Sequence, residues 1–397
     1  MKEARPQPPI LRQKKNHLPD DIVLDILARL PVKSLLRFRC VRKSWYFRIT
    51  SPNFISTHLN MFLCQNQGYV IHMPTINLDN QDLKVACDRT FDGISEFKIP
   101  FSFQSGLAFL VGSCNGLLCF SDFRLQNSLI NNVFFGFNDV YLWNPSIRKY
   151  KKLPDTCLSQ LHLAKVGFAH HSQKNDYKVV RISRPFSEPM PPPEAEVYTL
   201  SSDSWKRVGI SWRPNVVFYK FGCVKPFPFV SGHLHWMLDM IEEGGGQEMR
   251  YIEMILSFDV NSEKFKELPL PDDHSFKDGK NLTSVKEKLA LAKFEQQPHG
   301  MLCCIWVMRE YGVCESWNKL CVVPVVTHTC FIGFTKYGSL LIQKKTQEIC
   351  SLEDKYVLID PETLYEKETS IQAIHPLVIA TYMENLALLD GANVISY

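Results

Sequence analysis

The sequence predicts a small all-α module of three helices followed by an all-β, propeller-like domain in which six blades are favoured. Three observations predict this. Residues 18–58 carry apolar rows at helical spacing, punctuated by prolines. Beyond residue 100 the pattern changes to short apolar runs ended by Asx, Pro or Ser turns. Aromatic residues mark a returning strand at Phe97, Tyr150, Trp205, Phe265, Trp317 and Tyr365, in steps of 53, 55, 60, 52 and 48 residues. A quasi-period near 50 with four strands per unit is the signature of a propeller blade.

The chain has 397 residues, 45% hydrophobic and 22% charged, which excludes wholesale disorder. No run approaches the ~18 apolar residues that a membrane helix needs. Met1 to Lys15 is polar and basic and lacks the apolar stretch of a secretory signal. A cytoplasmic or nuclear location is therefore expected. Thirteen cysteines with no Cys-x-x-Cys spacing read as small buried hydrophobes of a reducing compartment. Cys114, Cys119, Cys303, Cys304, Cys321 and Cys330 all sit in apolar, strand-like stretches. Residues 1–60 hold 12 Lys/Arg against 4 Asp/Glu, a net of +8, and the remainder holds 33 against 37, a net of −4. Three segments are expected: a disordered basic tail over 1–16, the helical module over 17–60, and the β domain over 61–397.

In the first helix Pro19 suits the first helical position, where a missing N–H costs nothing. Asp20 and Asp21 favour the positive end of the helix dipole, and Pro31 ends the helix. Ile22, Ile26 and Leu30 form one apolar row, with Val23, Leu27 and Leu30 as a second row beside it. Pro31 begins a second helix, Val32 to about Val41, with Leu35, Leu36 and Phe38 on its apolar side. A third short helix carries Trp45 and Ile49. Ser51-Pro52 reads as the cap and first position of one more turn containing Phe54 and Ile55.

About 40 residues rarely bury enough surface to stand alone, yet this module has more large apolar side chains than one core can hide. Either a partner's helices cover one face, or the module packs as a helical cap on the β domain. Leu18-Pro19-Asp20-Asp21-Ile22, Leu27-x-x-Leu30-Pro31-Val32-Lys33-Ser34-Leu35, Arg37-Phe38-Arg39-Cys40-Val41 and Lys43-Ser44-Trp45 resemble the F-box motif. The resemblance implies docking on a Skp-type adaptor, and through it on cullin and RING subunits of an SCF ubiquitin ligase. It implies adaptor contacts from Leu18, Pro19, Ile22, Ile26, Leu30, Pro31, Leu35, Val41 and Trp45, some of which must instead face the module's own core. Lys33, Arg37, Arg39, Arg42, Lys43 and Arg48 form a basic surface suited to an acidic adaptor.

In the β domain, Tyr141–Asn144 leads to Lys149–Leu153, Val197–Leu200 to Trp205–Val208, Leu256–Val260 to Lys264–Leu268, and Val357–Ile359 to Tyr365–Lys367. Between them lie the strands Gly116–Phe120, Tyr177–Ile182, His233–Met237 and Gly338–Ile342. Leu377–Thr381 and Leu386–Leu389 also read as strands, needing outer partners such as the segments near Tyr69–His72 and Phe97. Such closure joins both chain ends in one blade and removes exposed edges. Seven blades or an open sandwich remain as alternatives.

Gly112-Ser113-Cys114-Asn115-Gly116-Leu117-Leu118-Cys119, Trp143-Asn144-Pro145-Ser146-x-Arg148, and Gly167-Phe168 with Asp176–Val180 resemble the F-box-associated domain of plant F-box proteins. That group includes proteins of the F-box/kelch-repeat type. The double-Gly marks of true kelch repeats are missing, so a galactose-oxidase-like chemistry is not implied.

No catalytic, cofactor or metal site is expected. His233-x-His235 has a metal-compatible spacing but no third ligand nearby. His170-His171 precedes a turn and reads as solvated. Asp272-Asp273-His274-Ser275 has catalytic residue types in a polar loop with no positioned partner. Gly244–Gly246 lacks the Lys-Ser/Thr of a phosphate loop. Cys303-Cys304 reads as buried, and Asn281-Leu282-Thr283 as a glycosylation sequon without consequence in the cytosol. The tail residues Arg5, Arg12, Lys14 and Lys15 suit a nucleic-acid contact or a nuclear address, but a solvated tail is the favoured reading; neither nucleic acid nor membrane is an expected partner. The function expected is that of a non-catalytic substrate-recognition subunit promoting ubiquitination of a target protein. A propeller lectin or enzyme, and an F-box interaction protein acting outside any ligase, are the alternatives. Target-binding residues are unassigned; the long connections Pro185–Glu194, Asp239–Arg250 and Asp272–Asn281 are the candidate loops.

Overall fold

The computed structural model describes residues 18–63, 69–74, 82–103, 108–122, 124–127, 133–136, 139–158, 163–184, 191–211, 216–217, 226–243, 249–271, 280–298, 300–325, 329–344, 354–371, 377–388 and 393–397. The basic tail, Gly244–Gly246 and Asp272–Ser275 lie outside them. The chain divides into two compact units, Met1–Gln65 and Asn66–Tyr397.

The first unit has four helices: α1 (Asp20–Ala28), α2 (Val32–Phe38), α3 (Lys43–Ile49) and α4 (Pro52–Leu63). Pro19 and Pro31 each stand one residue before a helix, with ψ of 144° and 150°, rather than at its first position. Proline at this site keeps its extended ψ while its carbonyl accepts the first helical bond. Val23 N–H donates to Pro19 O at 3.1 Å, and Leu35 N–H to Pro31 O at 3.2 Å. Ser51 does cap α4, its Oγ accepting from Phe54 N–H at 3.3 Å.

The expected single turn there is a helix of 12 residues, so the module has four helices, not three. The extra turns bury Phe54, His58 and Leu59 against α1. The polar residues around them hid this stripe from the sequence pattern. His58 is fully buried, and its Nε2 meets the carbonyl of Leu30 at 3.0 Å. Burial lowers its pKa.

The second unit is a six-bladed propeller built from antiparallel sheets. The chain first lays down β1 (Tyr69–Pro74), β2 (Asp82–Cys87) and β3 (Gly93–Lys98). Blade 2 follows with β4 (Ala108–Cys114), β5 (Leu117–Asp122), a side hairpin β6 (Arg124–Asn127) and β7 (Val133–Gly136), then β8 (Val140–Asn144) and β9 (Lys149–Lys152). Blade 3 is β10 (Leu163–His171), β11 (Asp176–Arg184), β12 (Glu194–Thr199) and β13 (Ser204–Val208). Blade 4 holds β14 (Val216–Val217), β15 (Phe229–Val230), β16 (His233–Glu243), β17 (Met249–Asp259) and β18 (Lys264–Leu268). Blade 5 is β19 (Lys280–Val285), β20 (Lys288–Gln297), β21 (Gly300–Met308) and β22 (Trp317–Val325). Blade 6 is β23 (Cys330–Phe334), β24 (Leu340–Lys344), β25 (Lys355–Ile359) and β26 (Glu366–Glu368). The chain then returns as β27 (Leu377–Tyr382) to complete blade 1 beside β1, and β28 (Ile395–Ser396) adds to β9.

Closure thus follows the expected pairing, with Tyr69 opposite Tyr382 and Pro74 opposite Leu377. Five of the six marker aromatics lie on the last full strand of a blade, and Tyr365 directly precedes β26. Apolar clusters join neighbouring blades: Ile71, Phe120 and Trp143 between blades 1 and 2, and Ile182, Trp236 and Phe258 between blades 3 and 4. Ile255, Leu291 and Trp317 join blades 4 and 5, Ile305, Leu340 and Val357 join blades 5 and 6, and Val70, Leu341 and Leu358 return from blade 6 to blade 1.

Four details correct the sequence expectations. Residues 383–388 are not a strand; they hold a tight segment against blade 2. His171 is buried, 1% exposed, at the end of β10, where its Nδ1 accepts from Lys174 N–H at 3.4 Å across the following turn. The Asp239–Arg250 connection is mostly strand, since β16 and β17 stay paired out to Glu243 and Met249. Glu194 opens β12 and Lys280 opens β19, so the unassigned parts of the three long connections, 185–190, 244–248 and 272–279, lie outside the described residues.

Candidate adaptor-docking surface

In the helical unit, the two apolar rows of α1 part company. Leu27 and Ala28 are buried and Val23 is half-buried, whereas Ile22 and Ile26 are 45% and 47% exposed. Residues at i and i+4 share a face, so the helix must turn one row inward and leave the other in water. α1 packs on α4, and the Val23/Leu27 row is the one turned inward. Leu35 is fully buried with Val32, Ile49, Phe54 and Leu59, so it belongs to the module's core and not to its surface. Leu30 and Trp45 are half-buried; Trp45 packs edge-on against Phe38 with ring centroids 5.6 Å apart. Leu18 and Val41 are 59% and 61% exposed, and Pro19 and Pro31 are exposed with them.

Sequence reasoning missed two residues. Phe47 is 69% exposed, and Tyr46 beside it is 38% exposed. The signal was present: Trp45-Tyr46-Phe47 are consecutive on one helix, and side chains 100° apart cannot all face one core. Tyr46 and Phe47 meet edge to face at 5.5 Å, and the Arg39 guanidinium lies 5.2 Å from the Tyr46 ring.

An Arg48–Asp20 ion pair ties α3 to the first turn of α1, placing the exposed aromatics of α3 at that end of the module. Arg29 pairs with Asp25 one turn earlier, a surface contact worth little. Lys33, Arg37, Arg42 and Lys43 stay exposed, while Arg39 and Arg48 are drawn into the contacts just described. The module therefore presents an apolar surface next to free basic groups, the composition of a protein-docking face.

The F-box domain profile matches residues 16–57, and the profile described as F-box associated beta propeller domain matches residues 61–388. The chain belongs to the F-box proteins that carry an F-box-associated β-propeller domain. F-box protein At3g07870 of Arabidopsis thaliana is 29% identical over 330 residues, covering 76% of this chain and 71% of its own length. F-box protein CPR1 of the same plant is 27% identical over 334 residues, covering 77% and 73%. F-box/kelch-repeat protein At3g23880, also from Arabidopsis thaliana, is 26% identical over 324 residues, covering 79% and 81%.

In the propeller, the residues with chemical potential are held in structural contacts. His235 Nδ1 meets Pro228 O at 3.2 Å and its Nε2 meets Tyr311 Oη at 2.8 Å. His233 Nδ1 meets Ser231 O at 2.7 Å. Cys303 and Cys304 are buried, and burial pushes the Cys304 thiol up. Thr283 of the sequon lies half-buried in β19. Among the described residues, no group of three or more His, Cys, Asp or Glu side chains is arranged to hold a metal. No helix among them is long and apolar enough to cross a membrane.

Proposed function

We propose that this F-box protein is the substrate-recognition subunit of an SCF-type ubiquitin ligase. Its helical module docks on a Skp-type adaptor, which connects it to cullin and RING subunits, and its propeller holds a target protein. The chain itself contributes no chemistry. It raises the local concentration of a target lysine near a charged ubiquitin carrier, the proximity contribution to catalysis. A cytoplasmic or nuclear location suits that role.

The observation that supports this reading best is the exposed Ile22/Ile26 row on a helix whose other row already fills the core. Leu18, Pro19, Pro31, Val41 and Trp45 with half-buried Leu30 extend the proposed contact, and Phe47 joins it; Leu35 leaves it for the core. Each isoleucine returned to a dry interface contributes roughly 1.5–3 kcal/mol.

Ile22→Asp/Ile26→Asp is therefore expected to lower adaptor affinity by about a hundredfold or more in a pull-down titration while leaving the fold intact. Leu35→Ala is expected to act differently, lowering the stability of the module by ~2–5 kcal/mol. Undiminished adaptor capture by the folded double variant would sink the reading. Ubiquitin transfer to a bound target, reconstituted with adaptor, cullin and RING subunits, separates this role from that of an interaction protein outside any ligase.

A further inference from the structure

Blades 5 and 6 enclose a groove of about 480 Å³ on the propeller. Three departures from regular backbone meet there. The β22 strand bulges against β21, where Ile305 pairs with Cys321 and Trp306 with Lys319, leaving Leu320 unmatched. A bulge re-aims a side chain, and Leu320 is left 45% exposed in the groove. The two-residue turn between β19 and β20 has Lys286 and Glu287 both left-handed, at φ 46° and 61°. Glycine or asparagine normally fills such a turn, so the backbone is strained. Opposite it, Gly338 has φ 91°, and a Cβ there would come within 2.6 Å of the Lys286 side chain. The lysine stem is thus packed on a position that admits only glycine.

The groove is polarised. Lys288, Arg309 and Lys319 are exposed along the blade 5 wall, with the Lys319 ammonium 5.1 Å from the Trp306 ring. Among the described residues no carboxylate pairs with Lys288 or Arg309. Two carboxylates, Asp360 and Glu362, stand on the blade 6 wall. Asp360 accepts from the N–H groups of Glu362 and Thr363, both at 2.9 Å, and Glu362 faces Lys286 at 3.9 Å. The groove lining thus holds Lys286, Lys288, Arg309 and Lys319 against Asp360 and Glu362, a net of +2, and borders an exposed leucine.

We propose that this groove is the target-binding site and that it takes a peptide segment in which aspartate or glutamate residues flank a bulky apolar side chain. The apolar residue packs on Leu320, and the flanking carboxylates meet Lys288, Arg309 and Lys319. Dispersed single charges, two lysines and one arginine, suit several spaced carboxylates better than one phosphate, which favours clustered arginine forks. The inference rests on the receptor reading, and it places the site on tight turns rather than on the long connections.

The test is fluorescence anisotropy of the purified full-length chain with a labelled peptide carrying Glu and Asp around a central Leu. Companion peptides replace the acids by Gln, the Leu by Ser, or one Glu by phosphoserine. The acidic Leu peptide is expected to bind, with the Gln and Ser versions about tenfold or more weaker and binding falling as salt rises. Arg309→Glu/Lys319→Glu and, separately, Leu320→Asp are each expected to weaken it about tenfold. No measurable binding, undiminished binding by both variants, or a preference for the Gln or phosphoserine peptide would overturn the proposal. The same variants are expected to capture the adaptor normally. If the unmodified chain fails to capture it, the receptor reading fails instead, whatever the peptides do.

Discussion

Trp205 and Trp317 show what two of the recurring aromatics do. The Trp205 indole N–H donates to Pro154 O at 2.8 Å, and that of Trp317 to Pro269 O at 3.2 Å. Each proline lies just past the last strand of the preceding blade, so these two indoles pin one blade to the next. His235 shows how a buried polar residue is satisfied. Pro228 O can only accept, so Nδ1 carries the proton, and Nε2 accepts from the Tyr311 hydroxyl. Ser257 Oγ, 2.8 Å from Tyr311 Oη, then donates to it. Burial holds His235 down at about 4, and burial with nearby Lys84 does the same for His72.

Between about pH 6.5 and about pH 4 the unfolded chain binds protons at these sites that the folded chain does not. Stability is therefore fully present above that window and falls as pH falls through it, by about 3 kcal/mol at most for His235. Urea unfolding of the full chain at about pH 7.5 and about pH 5 is expected to show a lower midpoint at the acid value. His72→Leu with His235→Leu is expected to reduce the difference, the rest coming from His58 and His171, whose pKa burial also lowers; an equal acid loss in that variant contradicts the assignment.

At the scale of elements, two family motifs prove to be parts of one latch. Asn144 Nδ2 donates to Asn385 Oδ1 at 2.7 Å and to Ala387 O at 2.8 Å, and Asn385 Nδ2 donates to Asn115 O at 2.6 Å. Ser113 Oγ donates to Thr381 O at 2.7 Å. The Gly112–Cys119 and Trp143–Arg148 motifs thus hold the returning C-terminal segment. Gly116 turns the β4–β5 hairpin at φ 79°, where a Cβ would fall 1.8 Å from Met383 O. Gly116→Ala is expected to destabilise the propeller by at least ~2 kcal/mol in chemical denaturation. Gly209→Ala, at a site with nothing within 4 Å, is expected to change little. Equal effects would argue against the latch.

The turns into the fourth strands were legible in their Asx and Pro residues, and Asp259 and Asp360 do cap them. The left-handed residue that each turn requires was not legible. It is Arg148, Asp203, Glu263 or Leu364, none of them glycine. Aspartate adopts this region by itself, but Arg148, Glu263 and Leu364 are held there by the surrounding pairing rather than by their own preference.

At the scale of the whole molecule, the ring depends on a contact between residues more than 300 positions apart. β27 covers the edge of β1, where Val70 and Ile71 are buried. A chain ending at residue 376 leaves that edge unpaired, and unpaired edges seed association. It is expected to elute as oligomers on size exclusion and to lose a single cooperative unfolding transition. A monomer with native unfolding would contradict this account of closure.

The sequence by itself determined the helical module, the blade period and the partners of the two chain ends. Proline punctuation, apolar alternation and aromatic spacing are local or periodic signals. Only the tertiary structure decided which α1 row faces water, that Leu35 lies inside, that α4 runs three turns, and that a bulge turns Leu320 outward. Those outcomes depend on which surfaces meet, and periodicity defines a face without naming what covers it.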